Sequence, residues 1–361
     1  FVDAQVLPII GDCFERGEFP RQLVRPIAEL GLLGANLEGY GCAGVGEVAY
    51  GLVMQELERG DSGIRSFVSV QGALVMYPIW RFGSDAQKER FLPDLVAGRA
   101  LAGFGLTEPD AGSDAGATRT KAVLENGPAP GSAREWVVDG SKAFITNSGT
   151  DITSVVTVTA RTGTDADGRP EISAIMIPSG TSGFTVEAPY DKLGWNISDT
   201  HGLSFAGCRV PEENLLGQRG HGFRQFLKTL DDGRIAISAL ALGLIARMRE
   251  EATAYAKTRT AFGRPIGVNQ GVAFPIADLL VMEENSRLLT YRAAWLKDEQ
   301  EAGRRSVADV KQAAAVAKLY TCEAAVTATR IATQVFGGNG FMEEYPVARF
   351  YRDAKILEIG E

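Results

Sequence analysis

The hydrophobic period of the chain changes twice, and this order constrains the fold more than any other feature of the sequence. From Phe1 to about residue 100, apolar residues recur with a helical period, as in VAYGLVMQELER. Residues 101–217 are instead rich in β-branched residues, Gly, Pro and Ser. The helical period then returns and continues to residue 361. The sequence therefore predicts an α+β protein with three domains: an α-helical domain (1–100), a β-domain (101–217) and a helical bundle (218–361).

Local patterns refine this prediction. The strand-like runs of the middle domain are EWVV, KAFIT, DITSVVTVTA, EISAIMI and GLSFAGCRV. Asp139-Gly140, between the first two runs, predicts a hairpin, and the Gly/Pro/Ala-rich segment 125–133 predicts a turn. Ser306 and Asp309 form a capping-box pattern before a helical stripe at residues 310, 313, 314 and 317. A second helix is striped by Ile276, Leu279, Leu280, Leu288, Tyr291 and Trp295. A four-helix bundle is the natural closed arrangement for such helices.

Composition excludes several functional classes. A formal net charge of -8 and a pI near 5.1 argue against nucleic-acid binding. The four cysteines are far apart in sequence, so they form neither a redox pair nor a metal cluster and are expected to be reduced. We find neither a membrane-spanning run nor a signal sequence, and we expect a soluble cytoplasmic protein without a membrane partner. Both ends of the sequence look truncated.

Common catalytic motifs are also missing from the sequence. No GxGxxG motif follows a strand, and the helix–sheet–helix order does not match a nicotinamide-binding sheet. There is no GxSxG nucleophile motif, and His201 and His221 lack the spacing of a metal site or a catalytic triad. No metal site is therefore predicted.

Six ordered segments resemble the acyl-CoA dehydrogenase family along the whole chain: FGLTEPDAGSD, KAFITNSG, LDDGR, RTAFGRP, QVFGGNGF and YRDAKILEIGE. This resemblance implies the family's fold, FAD as cofactor, and a homo-oligomer, expected to be a tetramer. It also implies an acyl thioester as substrate and an electron transfer flavoprotein as the expected electron acceptor.

The resemblance assigns two groups of residues to FAD. The flavin ring is expected to contact two strands and a turn, with Ser113 also near the thioester: Phe104, Leu106, Thr107, Gly112, Ser113, Phe144, Ile145 and Thr146. Many relatives have Trp where this chain has Phe144. The diphosphate and adenosine are expected to contact a neighbouring subunit through Arg259, Phe262, Gln270, Gln334, Val335, Gly337 and Gly338. Arg suits a diphosphate because of its planar donor fork.

The resemblance places the catalytic base at Glu361, in the motif YRDAKILEIGE. Some relatives carry the base at the position of Gly233, where glycine cannot serve. A free glutamate has a pKa of ~4.3, so abstraction of an α-proton requires a site that desolvates it, and Ile356, Leu357 and Ile359 are candidates for that apolar wall. Asp231 and Arg234 match the pair that reads the pantetheine arm.

Within the family, the segments around residues 40–75 most resemble glutaryl-CoA dehydrogenases. Glu58, Arg65, Ser66 and Ser69 match the residues that read a distal carboxylate, which an arginine would favour over an alkyl tail. The alternative is an arginine at a helix start, solvated or paired with Glu58. Gly360 replaces the tyrosine that these relatives have before the base, which leaves a larger cavity and leaves decarboxylation open.

Three further interpretations remain open. The carrier is either coenzyme A or an acyl-carrier protein. Oxygen instead of a flavoprotein as electron acceptor would make the enzyme an acyl-CoA oxidase. A non-catalytic flavin- or acyl-CoA-binding scaffold is the remaining alternative, against which the motif ending at Glu361 argues.

Overall fold

The computed structural model describes residues 1–360, and for Asp231 and Asp232 it describes the helical backbone only. The first part of the chain is helical, as predicted. Its α-helices are α1 (Leu7–Arg16), α2 (Val24–Glu29), α3 (Glu47–Gly60), α4 (Ser62–Ser69), α5 (Tyr77–Phe82) and α6 (Asp85–Val96). A π-helical segment, Val70–Met76, joins α4 to α5, so that residues 62–82 form one continuous helical run.

The middle part is a sheet of eight strands. They are β1 (Leu101–Gly105), β2 (Lys121–Asn126), β3 (Arg134–Thr146), β4 (Thr153–Thr164), β5 (Pro170–Pro178), β6 (Phe184–Pro189), β7 (Thr200–Pro211) and β8 (Leu215–Leu216). The strand order is β6-β7-β3-β2-β4-β5-β8, and β1 pairs in parallel with β4. Four of the five strand-like runs lie wholly within these strands, and the fifth, DITSVVTVTA, begins two residues before β4. The segment after β2 forms the predicted turn to β3.

The hairpin predicted at Asp139-Gly140 is wrong, because β3 runs straight through this dipeptide. The register of β3 against β7 shifts between Val138 and Gly140, and Gly140 has φ 146°. Asp139 accepts a hydrogen bond from the backbone N–H of Gly207 on β7 at 2.7 Å. The dipeptide therefore forms a bulge inside a long strand, where long-range pairing overrides the local turn preference.

The last part is helical again, and an isolated two-stranded ribbon, β9 (Thr260–Ala261) with β10 (Arg264–Pro265), follows its first helix. The helices are α7 (Gly222–Thr258), α8 (Gln270–Glu301), α9 (Val307–Phe336), α10 (Pro346–Ala354) and α11 (Ile356–Ile359). The described residues thus supply three long helices to the bundle, with α10 and α11 packed against α9. The capping box at Ser306 and Asp309 is confirmed. Of the apolar stripe predicted on α8, Leu279 is buried, but Leu280, Leu288 and Trp295 are exposed.

Helix α3 joins the first and last parts of the chain by crossing α7 at close range. A Cβ at Gly243 would lie 2.3 Å from the Gln55 carbonyl oxygen and 2.9 Å from the Glu58 Cβ. Only glycine permits this approach, which fixes the end of α3 and the start of α4 against α7. In the described part of the chain, no helix is long and apolar enough to cross a membrane. The four cysteines are free thiols, three of them buried, in agreement with the prediction.

Candidate active site

The two segments predicted to contact the flavin ring are brought together by the sheet. The backbone N–H of Ala143 on β3 donates to the Thr107 carbonyl oxygen at 2.8 Å, just beyond the end of β1. Phe104 on β1 stacks on Phe226 of α7, with ring centroids 5.1 Å apart. Leu106 and Thr107 are half-buried beside this stack. Gly112 and Ser113 lie on the exposed turn that follows.

A buried ion pair holds this turn against β3. Lys142 donates to Glu108 at 2.7 Å, to the Leu106 carbonyl oxygen at 3.0 Å and to the hydroxyls of Thr118 and Thr159 at 3.2 and 3.1 Å. Burial lowers the pKa of Lys142 to about 8, against the opposing effect of the Glu108 carboxylate. Burial raises the pKa of Glu108, but hydrogen bonds from Lys142 and Thr118 outweigh it and lower the pKa to about 2. The pair is therefore ionised at neutral pH.

Phe144 is held in a conformation that is unusual for an aromatic residue. Its φ is 62°, its side chain is 65% exposed, and its ring lies 5.0 Å from that of Tyr190. A left-handed φ at a bulky residue costs free energy and is often found at functional sites. Ile145 next to it is buried, and Thr146 is half-buried.

A cavity of about 390 Å³ lies between this end of β3 and the C-terminal helices. Phe144 and Thr146 line one side of it, and Ile356 and Ile359 line the other. Of the three residues predicted to form an apolar wall, Leu357 is buried, whereas Ile356 and Ile359 are 40% and 68% exposed. Gly360 is half-buried at the end of α11, and the predicted base, Glu361, lies outside the described residues.

The loop between β6 and β7 lines this cavity and is fixed to α10 by a buried carboxyl group. The Trp195 backbone N–H donates to Asp353 at 2.5 Å. Burial raises the pKa of Asp353 to about 7, and the nearby Asp61 raises it as well. Arg349 is 3.3 Å from Asp61 and 3.2 Å from the Gly60 carbonyl oxygen. This network joins the start of α4 to α10.

The residues predicted to read a distal carboxylate lie together at the α3–α4 junction. Glu58 and Arg65 are 0% and 2% exposed, and Ser66 and Ser69 are buried beside them. Arg65 is therefore not a solvated helix-start residue. Ser62 donates to Glu58 at 2.6 Å. Burial raises the pKa of Glu58 well above its usual range, opposed by this hydrogen bond and by the charge of Arg65.

The cluster predicted to read a carboxylate is connected to the end of β3 that is predicted to contact the flavin. The Asn147 side chain, which follows Thr146, donates to the Phe67 carbonyl oxygen of α4 at 3.3 Å. Arg234, one of the predicted pantetheine-reading residues, is half-buried on α7, and the side chain of Asp231 lies outside the described set.

The residues predicted to contact the adenosine half of the cofactor lie at one end of the bundle. Tyr255 near the end of α7 stacks on Phe336 of α9, with centroids 4.0 Å apart. Arg259 and Gln270 are exposed and Phe262 is 100% exposed, with φ 54°. Gln334 and Gly337 line a second cavity of about 680 Å³, Gly338 is exposed, and Val335 is half-buried. Arg352 lines both this cavity and the one beside Phe144.

Sequence reasoning missed four residues that organise the site: Glu108, Lys142, Trp195 and Asp353. Glu108, Lys142 and Asp353 lie inside motifs that were recognised, but their partners are 34 and 158 residues away in the chain. For the three charged residues, the sequence signal available was a charged side chain among the apolar residues of a motif.

Comparison with known proteins shows the family of the chain. Its three parts match the family models of the acyl-CoA dehydrogenase N-terminal domain over residues 1–99, the middle domain over 103–208 and the C-terminal domain over 220–361. The chain belongs to the acyl-CoA dehydrogenase family. It is 41% identical over 364 residues to a probable acyl-CoA dehydrogenase, YngJ, of Bacillus subtilis, covering 100% of this chain and 91% of that protein.

Two solved structures are similar over 99% of this acyl-CoA dehydrogenase chain. Butyryl-CoA dehydrogenase from Megasphaera elsdenii has a TM-score of 0.90 at 37% identity, with 90% of that chain covered. A glutaryl-CoA dehydrogenase from Mycobacterium smegmatis in complex with FADH2 has a TM-score of 0.88 at 34% identity, with 86% covered. This chain is accordingly an oxidoreductase of the FAD-binding family.

The observed geometry fits FAD. The apolar cavity beside Phe144 and Thr146 offers a flat aromatic wall, as a flavin ring requires, and the second cavity has two arginines, Arg330 and Arg352, near Gln334. No atom lies within 4 Å of the Cβ position of Gly112, Gly337 or Gly338, so the backbone at these glycines is open to close approach by a ligand. Such open backbone is common where a nucleotide cofactor binds.

Proposed function

We propose that this acyl-CoA dehydrogenase introduces a Cα=Cβ double bond into an acyl thioester, with Glu361 as the base that removes the α-proton. The observation that supports this most is the apolar cavity between β3 and α11, because it brings Phe144 and Thr146 beside the segment that leads directly to Glu361. Bound FAD supplies the acceptor for the hydride that leaves the β-carbon.

The role of the protein side chains follows from the same geometry. Ile356 and Ile359 line the cavity with apolar side chains, and with cofactor and substrate bound they would keep water from a nearby glutamic acid. Such desolvation favours the neutral form of the acid and brings its pKa closer to that needed for proton abstraction. The Asp353–Trp195 hydrogen bond fixes α10 and the loop that covers the cavity. Helix α10, which precedes the segment leading to residue 361, is therefore anchored to the loop between β6 and β7.

The test is an anaerobic titration of the purified holoprotein with a panel of acyl-CoA thioesters, monitored by the loss of the visible absorbance of the oxidised flavin. Wild type is expected to bleach with at least one thioester. Glu361→Gln should slow bleaching by ~10³-fold or more because the base is lost. Glu358→Gln, which changes an exposed acid three residues earlier, is the matched control. Unimpaired bleaching by Glu361→Gln, or a wild type that no thioester bleaches, would contradict the proposal.

We further propose that the acyl group carries a distal carboxylate. Arg65 is buried beside Glu58, and burial favours the protonated form of Glu58, so that a second carboxylate from a substrate would be attracted to this cluster. Arg65→Ala should therefore reduce kcat/KM for glutaryl-CoA by ~10-fold or more relative to butyryl-CoA. Equal losses for the two substrates would show that Arg65 has a structural role only.

We also propose a homotetramer and an electron transfer flavoprotein as acceptor. Exposed apolar side chains on α8, among them Val281, Leu288 and Trp295, support a subunit interface, which light scattering in solution would measure. The exposed Phe144 and Leu193 beside the flavin cavity support docking of a redox partner. Rapid oxygen consumption with release of hydrogen peroxide would instead favour an oxidase. The free cysteines support a reducing, cytoplasmic location.

A further inference from the structure

Asp353 on α10 is a buried carboxyl group in the wall of the flavin cavity, the cavity that Phe144 and Ile359 also line. Its side chain belongs to a residue that is 1% exposed. Its Oδ1 accepts a hydrogen bond from the Trp195 backbone N–H at 2.5 Å, whereas its Oδ2 has no hydrogen-bond partner among the described residues. Burial of a carboxyl group is unfavourable unless hydrogen bonds offset it, so an apolar side chain of the same shape would destabilise the fold less. The acid at this position therefore indicates a role beyond packing.

The loop between β6 and β7 is shaped around this carboxyl group. Trp195, which donates the hydrogen bond, has φ 53°, a left-handed conformation that is unfavourable for a bulky residue. A Cβ at Gly194, the preceding residue, would lie 2.6 Å from the Asp353 Oδ1 and 2.8 Å from the Arg352 carbonyl oxygen. Leu193, Gly194 and Trp195 all line the flavin cavity. The hydrogen bond to Asp353 therefore offsets the strain in the loop and fixes this wall of the cavity.

On its other side, Asp353 is connected by helical backbone to the end of the chain. Helix α10 ends one residue after Asp353, and Lys355, which follows, has helical dihedral angles (φ -60°, ψ -35°). Helix α11 begins at the next residue, and the backbone N–H of Gly360 donates to the first carbonyl oxygen of α11 at 2.8 Å. From Asp353 to the end of α11 the rise is only ~9 Å at 1.5 Å per residue. A displacement of Asp353 would therefore move the segment that leads to Glu361.

The charges around Asp353 belong to a buried network that does not depend on it. Arg349, one turn earlier on α10, lies 3.3 Å from Asp61 at the start of α4 and donates to the Gly60 carbonyl oxygen at 3.2 Å. Burial raises the pKa of Asp353 to about 7, and Asp61 raises it as well, while Arg349 and Arg352 oppose this. A neutral residue in place of Asp353 leaves one buried cation facing one buried anion. Neutral variants at this position are therefore expected to fold.

We propose that Asp353 is a positioning residue for the dehydrogenation: it fixes the distance between the loop that lines the flavin cavity and the helical segment that leads to the base. The inference rests on the proposed acyl-thioester activity, in which a proton and a hydride leave neighbouring carbon atoms of one substrate. The base and the bound flavin must therefore keep a fixed separation, and a misplacement of ~1 Å can slow a reaction by ~10²-fold. Asp353 belongs to one wall of the cavity and is hydrogen-bonded to the other.

The test compares wild type with Asp353→Leu, which keeps the branched shape but accepts no hydrogen bond, and with Asp353→Asn, which keeps an acceptor oxygen. Anaerobic flavin bleaching is followed by stopped flow per bound FAD, with butyryl-CoA or glutaryl-CoA, whichever bleaches wild type faster. Asp353→Leu should lower the limiting rate by ~10-fold or more, with the half-saturating thioester concentration within about two-fold of wild type. Asp353→Asn should restore the limiting rate to within about three-fold of wild type. With α-deuterated thioester, Asp353→Leu should show an isotope effect at least as large as that of wild type, because proton abstraction is the slowed step.

Gly194→Ala tests the same contact from the loop, because the added Cβ would collide with the Asp353 Oδ1 and the Arg352 carbonyl oxygen. This variant should slow bleaching as Asp353→Leu does, although it retains the carboxyl group. Gly11→Ala, on α1, is the matched control, because no atom lies within 4 Å of the added Cβ. The limiting rate of this control should equal that of wild type.

The proposal would be overturned by limiting rates within about two-fold of wild type for both Asp353→Leu and Gly194→Ala. Asp353→Asn as slow as Asp353→Leu, or loss of the isotope effect in Asp353→Leu, would also overturn it. Titration of the apoprotein with FAD separates this inference from the proposed activity, because it requires no turnover. If no thioester bleaches the flavin, FAD binding weakened by ~5-fold or more in Asp353→Leu and Gly194→Ala, but not in Asp353→Asn, still supports the role of Asp353 in shaping the cavity. Equal FAD affinity in wild type and all three variants would then overturn it.

Discussion

The buried Lys142–Glu108 pair allows a quantitative prediction. Lys142→Met keeps most of the side-chain length but removes the only cation within hydrogen-bond distance of Glu108 among the described residues. At 2.7 Å and an effective dielectric constant of ~20, the lost attraction is ~6 kcal/mol before the desolvation cost is subtracted. Removal of one partner of a buried pair typically destabilises a protein by ~3–5 kcal/mol, because the remaining charge is uncompensated. We expect Lys142→Met to lower the free energy of unfolding by an amount in this range.

The assay is urea denaturation followed by tryptophan fluorescence, since Trp136 is buried in the same sheet. The visible absorbance of the purified protein reports FAD retention, which should fall as well because the pair holds the Thr107 turn against β3. Lys121→Met, an exposed lysine on β2, is the matched control and should stay within ~0.5 kcal/mol of wild type. Glu108→Gln/Lys142→Met should recover at least ~1 kcal/mol relative to Lys142→Met, because no buried charge remains. The reasoning would be refuted if Lys142→Met were as stable as Lys121→Met. It would also be refuted if the effects of Glu108→Gln and Lys142→Met on the free energy of unfolding were strictly additive in the double variant.

Two further predictions concern stability. Asp353 has a pKa of about 7 in the folded protein against 3.8 in the reference state, so it favours folding at low pH, and this contribution is lost as the pH rises through 7. Asp353→Asn should therefore flatten the dependence of unfolding free energy on pH between about 4 and 7. Asp12→Asn, at an exposed position of α1, is the control and should leave this dependence unchanged. Parallel curves for wild type and Asp353→Asn would contradict the prediction. Ser306→Ala removes the capping box of α9 and should cost ~1 kcal/mol in the same denaturation assay, and an unchanged midpoint would show that the cap contributes nothing.

The order of the three parts was predictable because helix and strand have different hydrophobic periods. The strand runs and the α9 capping box were also found, since each depends on residues that are close in sequence. The bulge at Asp139-Gly140 was not predicted, because its conformation is set by pairing with β7, about 70 residues later in the chain. On α8, periodicity identified the apolar positions. It could not show which of them are buried within this chain: Leu279 is buried and Leu288 is exposed.

The parts of the site that could be predicted are those whose residues lie within one short sequence motif. Phe104 to Thr107 and Phe144 to Thr146 were assigned by resemblance, and the sheet brings these two segments together. The Lys142–Glu108 pair and the Asp353–Trp195 bond were not predictable, because each joins residues from different elements whose distance only the fold determines. The roles of Glu361 and Arg259 rest on resemblance and remain predictions.

The uninterrupted course of β3 has a practical consequence for experiments on this protein. The turn at its start and the aromatic residue near its other end are separated by ten residues of strand between Arg134 and Phe144, or roughly 33 Å at 3.3 Å per residue. A fluorescent label or affinity peptide inserted into the exposed segment 127–133 would thus be remote from the redox chemistry. Such a tagged enzyme should retain its yellow colour and turnover, giving a reporter for immobilisation or single-molecule work.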